Sequence, residues 1–234
     1  MISVPVISFE QDSDAYYKAA HDIKGAANRI LSLVQIFVEE REGLTPQQNM
    51  YLDFLYKEAS LAAQLTTDYM TLRKVKYIYK DVHETTWKDA IQPVFSKIKQ
   101  LAQERKVELS WYNLEASARL NPKLMAQLVF ALVQNSILYS DTQKAQRWVK
   151  ITFSSTPIGV TVEDNGIGIP EDKILSAFTP FTRIHHDLGT EQSTGTGLAL
   201  VREIVYFYKG NINIQSKVQE GTTIQIQLFP DFSN

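Results

Sequence analysis

The residues with the clearest capacity for chemistry form an acidic, glycine-containing turn, Asp164-Asn165-Gly166-Ile167-Gly168. An apolar run typical of a β-strand precedes the turn, and Pro170 closes it. Its glycines tolerate positive φ and let backbone approach a ligand closely. The aspartate offers a hydrogen-bond acceptor at the end of the strand. Because many strands end in polar turns, the meaning of this one depends on the rest of the chain.

The bulk composition is that of an ordinary soluble globular protein. The chain has 234 residues, of which 44% are hydrophobic and 21% charged, enough for one large domain or two small ones. A net charge of −2 gives no basis for binding nucleic acid or an anionic membrane surface. The chain has no cysteine, which excludes disulfides, thiolate metal sites and a cysteine nucleophile.

Targeting and membrane signals are also missing from this sequence. No apolar run approaches the ~18 residues of a membrane span, and residues 1–10 lack the pattern of a signal peptide. We therefore expect a cytoplasmic protein, or a soluble fragment of a larger one, with no membrane segment in this chain.

Two long helices are predicted in the first third of the chain. Apolar residues spaced alternately by four and three positions predict a bundle-forming first helix: Tyr16, Ala20, Ile23, Ala27, Ile30, Val34 and Phe37. Gly43 is suited to the turn that follows. Thr45 and Gln48 form a capping box, with Pro46 between them, at the start of a second helix to about residue 77.

These two helices are expected to form an antiparallel hairpin. The second helix carries an apolar face made of Leu52, Leu55, Ala59, Ala62, Leu65, Tyr69 and Leu72. A lone hairpin cannot enclose such a stripe, so we expect a homodimer in which two hairpins make a four-helix bundle. Residues 1–80, beginning with a short extended or disordered lead to about residue 11, are predicted as this first domain.

Residues 81–234 have a mixed pattern and are predicted as a second domain. Strands are predicted at about 81–86, 107–112, 118–120, 148–154, 158–163, 212–216 and 222–228, and helices at 87–103, 121–140, 171–177 and 197–208. The fold class is therefore α+β, with helices on one face of a mixed, largely antiparallel sheet.

Four stretches of this domain resemble the N, G1, F and G2 boxes of the GHKL ATP-binding domain of sensor histidine kinases. They are Leu128–Ser136, Asp164–Gly168, Phe178–Arg183 and Thr194–Leu200, in that order. Upstream, His21-Asp22-Ile23-Lys24 resembles the H box of the same family. The resemblance covers residues 12–230, and the set of four boxes is far more specific than any one of them.

The resemblance implies an ATP site. Asp164 would accept a hydrogen bond from the adenine amine, with support from Thr222. Gly166 and Gly168 would let the backbone pass under the base. Asn135 would coordinate the Mg²⁺ that bridges the phosphates, since magnesium prefers a few hard oxygen ligands.

The phosphate end of this site would be the start of a helix, whose free N–H groups bind anions. Its residues are Gly195, Thr196, Gly197 and Leu198, with Arg183 of the F box as a further nucleotide contact. A dinucleotide-binding fold is the alternative, but the third glycine and the preceding strand are missing, and so is a P-loop. Residues 184–194 would form an ATP lid, in which His185 and His186 are interpreted as solvated residues.

The H-box resemblance makes His21 the phosphoacceptor. Since it follows the seam residue Ala20, it should lie at the edge of the bundle core and face solvent. Asp22 would accept the imidazole proton and leave Nε2 to attack, and Lys24 would steer phosphate. The phosphoryl group would then pass to an aspartate of a response-regulator receiver domain.

The sequence also departs from the family pattern. Ala131 stands where the family usually has a second Asn, and Leu138 where it has a basic residue. Gly25 and Ala26 replace the usual Thr or Asn and the Pro after the H box. The changes at Ala131 and Leu138 are expected to reduce ATP affinity or turnover, and Gly25 leaves open whether the protein has phosphatase activity.

Two other functions stay open beside the kinase. One is a GHKL ATPase clamp, which would need a water-activating Glu where this chain has Ala131. The other is a weakly active or non-catalytic phosphotransfer or scaffold protein, which the changes at Ala131 and Leu138 favour.

Overall fold

A computed structural model describes residues 1–6, 14–74, 81–184 and 194–230, without the side chains of residues 14–22 and 72–74. The chain forms two compact units, one of residues 10–74 and the other of residues 1–9 together with 75–234. Each unit is described by itself below, as the hairpin unit and the sheet unit.

The hairpin unit consists of helix α1 (Asp14–Glu39) and helix α2 (Pro46–Lys74), packed against each other. The predicted capping box between them is confirmed. The Thr45 backbone N–H donates to Gln48 Oε1 at 2.9 Å, and the Gln48 N–H donates to Thr45 Oγ1 at 3.3 Å. These bonds satisfy donors that a helix start leaves unpaired, so α2 begins where the sequence predicts.

The apolar seam of α1 is divided between two environments. Ala27 and Val34 are buried, whereas Ile23, Ile30 and Phe37 are 57%, 54% and 62% exposed. The exposed residues recur every seven positions, so they form a stripe that α2 does not cover.

The prediction for the apolar face of α2 is only partly correct. Its Leu52 and Ala59 are buried as expected. Leu55 and Ala62 are exposed instead, and Ala63 and Met70 take buried positions. Helix α2 is apolar along more than one stripe, and periodicity alone does not tell which of them faces α1.

The sheet unit is built on a six-stranded sheet in the order β1-β7-β8-β6-β5-β3. Its strands are β1 (Ile2–Val4), β3 (Glu108–Tyr112), β5 (Trp148–Ser155), β6 (Ile158–Asp164), β7 (Asn211–Lys217) and β8 (Gly221–Leu228). Only β3 and β5 pair in parallel among these strands; the other neighbours are antiparallel. A separate antiparallel pair consists of β2 (His83–Thr86) and β4 (Ser117–Leu120). The predicted α+β class with a mixed sheet is confirmed.

Three helices cover the sheet and close the core: α3 (Trp87–Arg105), α4 (Pro122–Leu138) and α5 (Gly197–Phe207). Helix α4 packs between α3 and α5. Its start is capped as predicted, since Asn121 Oδ1 accepts from the Lys123 and Leu124 N–H groups at 2.9 and 3.1 Å. Alternate residues of the strands, such as Ile151 and Val160, are buried beneath these helices.

Two local expectations need correction. The helix predicted at 171–177 is instead a pair of short 3₁₀ turns, Glu171–Lys173 and Ser176–Phe178. The buried Phe178 anchors the second turn in the core, and neither turn is long enough for a stable helix. Ile2–Val4, part of the predicted lead, pairs with β7 and so belongs to the sheet of the second unit. No helix in the described part of the chain is long and apolar enough to cross a membrane.

Candidate functional site

The site is organised around Asp164, the last residue of β6. Its Oδ1 accepts from the backbone N–H of Gly166 at 2.9 Å and from that of Thr222 at 3.2 Å. Its Oδ2 accepts from the Ser136 hydroxyl at 2.8 Å. The carboxylate therefore lies between the glycine turn, strand β8 and helix α4, as the pairing of Asp164 with Thr222 across the sheet requires.

Burial raises the pKa of the Asp164 carboxyl above its ordinary value of 3.8, because burial penalises the charged form. Hydrogen bonds from Gly166, Ser136 and Thr222, and the charge of Lys144, oppose this effect and favour the ionised form. Three donors from separate parts of the fold therefore fix the direction of this partly buried carboxyl.

Thr222, the predicted partner of Asp164, belongs to a second small network. Its Oγ1 lies 2.8 Å from Ser216 Oγ, which donates to the Gly221 carbonyl at 3.1 Å and accepts from the Ile169 N–H at 2.8 Å. Either hydroxyl can be the donor in the Thr222–Ser216 hydrogen bond. This network ties the side chain of Thr222 to β7 and to the end of the glycine turn.

Sequence reasoning missed a lysine that clamps the glycine turn. Lys144 Nζ donates to the Asn165 carbonyl at 2.7 Å and to the Glu220 carbonyl at 3.3 Å. This ammonium group joins the turn after β6 to the turn between β7 and β8. The loop that contains Lys144 has no pattern that marks it, because its partners are backbone carbonyls far away in the chain.

Asn165 has a structural role within the same turn. Its Oδ1 accepts from the Trp148 N–H at 2.9 Å, and its Nδ2 donates to the Gln146 carbonyl at 2.8 Å. The side chain of Asn165 thus ties the turn to the start of β5.

The glycines of the turn are explained by space and backbone angle. A Cβ at Gly166 would lie 2.5 Å from the Tyr139 carbonyl oxygen. Gly168 has φ +71°, and a Cβ there would overlap the Lys217 carbonyl. Both positions therefore let the turn pack directly against neighbouring backbone.

The predicted phosphate end is assembled by contacts between α4 and the start of α5. A Cβ built on Gly197 would meet its nearest neighbours at Ala131, 3.9 Å from its carbonyl oxygen and 4.0 Å from its Cβ. Asn135 follows Ala131 by one turn of α4 and is partly exposed. The structure therefore brings the N and G2 boxes together, with an alanine where the family usually has a polar side chain.

The F box is joined to the same region by Gly195, whose Cβ would lie 2.6 Å from the Thr182 carbonyl oxygen. Arg183, at the end of this stretch, is half-buried. Thr196 is buried, with its hydroxyl 2.7 Å from that of Thr194. Leu198 is buried in the core, so any contact it makes with a ligand is made by its backbone.

Some predicted site residues lie outside the described part of the structure. Residues 185–193, including His185 and His186, are among them. His21 and Asp22 lie on α1 in the hairpin unit, without described side chains. Among the described residues, no group of three His, Cys, Asp or Glu side chains could hold a metal ion by itself.

Comparisons with known proteins also indicate an ATPase-type domain in the sheet unit. Residues 120–231 match the family described as "Histidine kinase-, DNA gyrase B-, and HSP90-like ATPase". The chain is 26% identical to the sensor histidine kinase RppB of Synechocystis sp. in an alignment of length 237 that covers 97% of this chain and 50% of that protein. It is 24% identical to the histidine-protein kinase ArlS of Staphylococcus aureus in an alignment of length 225 that covers 94% of this chain and 49% of that protein. The chain thus spans about half the length of these curated relatives.

Solved structures share the fold. Full-length ShkA, crystallised in complex with AMPPNP, superposes with a TM-score of 0.71 at 15% identity, covering 93% of this chain and 46% of that chain. The histidine kinase AdeS of Acinetobacter baumannii has a TM-score of 0.58 at 20% identity, covering 88% of this chain and 96% of that chain. Residues 120–231 therefore match the histidine kinase-, DNA gyrase B- and HSP90-like ATPase family, and the chain is similar to sensor histidine kinases in sequence and in fold.

Proposed function

We propose that this chain is the catalytic core of a two-component histidine kinase. It binds ATP with Mg²⁺ in the sheet unit, transfers the γ-phosphoryl group to His21, and passes it on to an aspartate of a response regulator. Such a kinase works in the cytoplasm, where ATP and response regulators are found.

The observation that carries the proposal is the partly buried Asp164 carboxylate held by donors from three elements. An acceptor fixed in this way pairs with an exocyclic amine, which adenine has, and rejects a carbonyl, which guanine has at that position. A guanine carbonyl placed against this carboxylate would leave two acceptors without a hydrogen bond and away from solvent, which costs binding free energy.

The phosphate end supports ATP with Mg²⁺ rather than a free metal site. Asn135 offers one amide oxygen, and no cluster of acidic or imidazole ligands accompanies it among the described residues. Magnesium takes few protein ligands when phosphates supply the others. When bound, the ion would neutralise charge on the phosphates, while the N–H groups at the start of α5 would hold their oxygens.

The proposed reaction transfers a phosphoryl group from ATP to His21, and the bond that forms is matched by one that breaks. Nε2 of His21 forms a bond to the γ-phosphorus, the bond to the β,γ-bridging oxygen breaks, and ADP leaves. Asp22 takes the imidazole proton and stabilises the charge that develops on the ring. Lys24 would attract the phosphate towards His21.

The test is incubation with γ-labelled ATP and Mg²⁺. We expect acid-labile label on the wild-type protein, and loss of that label in both His21→Gln and Asp164→Ala. His21→Gln should retain ATP affinity within about twofold, since His21 lies outside the nucleotide site, whereas Asp164→Ala should lose it. The matched change His83→Gln, on β2 in the sheet unit, should keep the label.

Other outcomes would contradict the kinase. Phosphate release that survives His21→Gln would indicate an ATPase clamp. ATP binding without any label or release would indicate a scaffold, which is favoured by the apolar Ala131 beside Gly197.

We also propose that the protein is a homodimer through the hairpin unit. The stripe of Ile23, Ile30 and Phe37 is exposed in the single chain, and a second hairpin would bury it. Burying such side chains is worth roughly 1.5–3 kcal/mol each.

Ile30→Lys is expected to convert the dimer to monomer at micromolar concentration, because it places a charge in the seam. Gln35→Lys adds the same charge at an exposed polar position of α1 and should leave the dimer intact. Sedimentation equilibrium distinguishes the two results. A dimer that persists in Ile30→Lys would mean that another surface holds the copies together.

A further inference from the structure

The carboxylate of Asp164 has a limited number of acceptor positions, and most of them are used. Each oxygen of a carboxylate accepts in about two directions. Oδ1 accepts from two backbone N–H groups, those of Gly166 and Thr222. Oδ2 accepts from the Ser136 hydroxyl. The described contacts therefore leave one acceptor direction, and it belongs to Oδ2.

Ser136 differs in kind from the other donors. Gly166 and Thr222 donate from the backbone, whereas Ser136 donates from a side chain on helix α4. A serine inside a helix commonly bonds to the carbonyl one turn earlier. The Ser136 hydroxyl bonds instead to a carboxylate 28 residues away, so its proton is committed to the site.

The position of Ser136 makes this bond rigid. The residue is buried, and its neighbours Ala131, Leu132, Val133 and Ile137 on α4 are buried with it. It directly follows Asn135, the proposed Mg²⁺ ligand. One turn of α4 thus contains both the proposed Mg²⁺ ligand Asn135 and the hydroxyl that donates to Asp164.

We propose that Ser136 is a specificity-determining positioning residue, which holds Oδ2 of Asp164 so that its remaining acceptor direction points at the exocyclic amine of adenine. The inference rests on the proposed ATP-binding function. Without the hydroxyl, Oδ2 would have two unfilled directions, and the carboxylate would rotate or recruit water. The site would then lose part of its preference for an amine at that position.

The proposal predicts a selective loss in Ser136→Ala. In Ser136→Ala the free acceptor direction of Oδ2 is no longer held before the nucleotide binds, so ATP affinity should fall about tenfold. Purine riboside triphosphate, which lacks the exocyclic amine, should lose less than about twofold. Titration calorimetry of both nucleotides with Mg²⁺ would measure the ratio of the two dissociation constants, which should shrink about fivefold or more.

The pH dependence of ATP affinity is a second measurement, and a variant that had only lost packing would leave it unchanged. The Ser136 bond favours ionised Asp164, so its removal raises the carboxyl pKa further. ATP needs the ionised acceptor, so the pH below which ATP affinity falls should move upward in Ser136→Ala. Ser136→Cys, whose thiol is a weak donor of similar size, should give intermediate values.

Ser140→Ala is the matched control, because Ser140 is a partly exposed serine just beyond the end of α4. It should change neither the nucleotide ratio nor the pH profile. If Ser136→Ala weakens both nucleotides equally and leaves the pH profile unchanged, Ser136 is only structural and the inference is wrong. If the wild-type protein does not bind ATP at all, the proposed function itself fails, which is a different result.

Discussion

Replacing Asp164 by asparagine is expected to weaken ATP binding by more than about 100-fold while leaving the sheet unit folded. The Gly166 and Thr222 N–H groups both donate to Oδ1 of the native carboxylate, so they would orient the amide oxygen into that position. The amide nitrogen would then occupy the place of Oδ2. It would present an N–H to the adenine amine, and two donors would oppose each other.

The same change should remove a pH dependence of folding stability. Burial raises the pKa of Asp164, so the unfolded chain ionises at lower pH than the folded one. The contribution of this group to the free energy of unfolding is fully present below its ordinary pKa of 3.8. It is lost as pH rises through the raised pKa, because ionisation then favours the unfolded state.

Denaturant unfolding between about pH 4 and pH 8 would measure this effect. We expect the stability of Asp164→Asn to rise relative to wild type across that interval, and calorimetry on the same samples to show no ATP binding. Asp141→Asn, in an exposed turn, should match the wild type in both respects. A stability of Asp164→Asn that does not rise relative to wild type would contradict the raised pKa of Asp164, and normal ATP binding would contradict the assignment of Asp164 as an adenine acceptor.

Gly168→Ala is expected to destabilise the sheet unit by about 3 kcal/mol or more. The native φ of +71° is unfavourable for alanine, and the new Cβ would overlap the Lys217 carbonyl. The turn cannot move away easily, because the Gln219 N–H donates to the Ile167 carbonyl at 2.7 Å. Relieving the overlap therefore requires the backbone of two turns to shift, which costs more free energy than moving a flexible side chain.

Gly197→Ala provides the comparison within the same unit. Gly197 begins α5, and a Cβ there would make ordinary contacts of 3.9 and 4.0 Å with Ala131. We expect its stability to stay within about 1 kcal/mol of wild type, since alanine also favours the helix. Equal unfolding midpoints for the two variants would show that the turn containing Gly168 is not held against the β7–β8 turn.

The elements of the fold were largely predictable from local patterns. The capping box at Thr45 and Gln48 and the cap at Asn121 both form the predicted hydrogen bonds. Local signals of this kind work because cap and partner are a few residues apart. The pairing of Ile2–Val4 with β7 had no such signal, because the sequence of a three-residue strand does not indicate which strand it pairs with.

Some residues of the candidate site could be predicted from the sequence, and others could not. The glycine turn and Asn135 could be named as candidates because residue type and order are visible along the chain. The clamp by Lys144 was not found, because an ammonium group that binds backbone carbonyls needs no particular residue in its partners. The packing of Ala131 beside Gly197 could not be predicted either, because the two residues lie on different helices and hydrophobic periodicity describes each helix by itself.

The sequence by itself determined which residue types stand in which order: a histidine on a bundle helix, an amide on α4, an acidic glycine turn and a glycine-rich helix start. Only the tertiary structure decided how the Asp164 carboxylate is held, because its donors come from Ser136, Gly166 and Thr222 on separate elements. Burial, direction and remaining acceptor capacity are properties of groups brought together in space. They arise when the sheet and α4 pack, and no spacing along the chain records them.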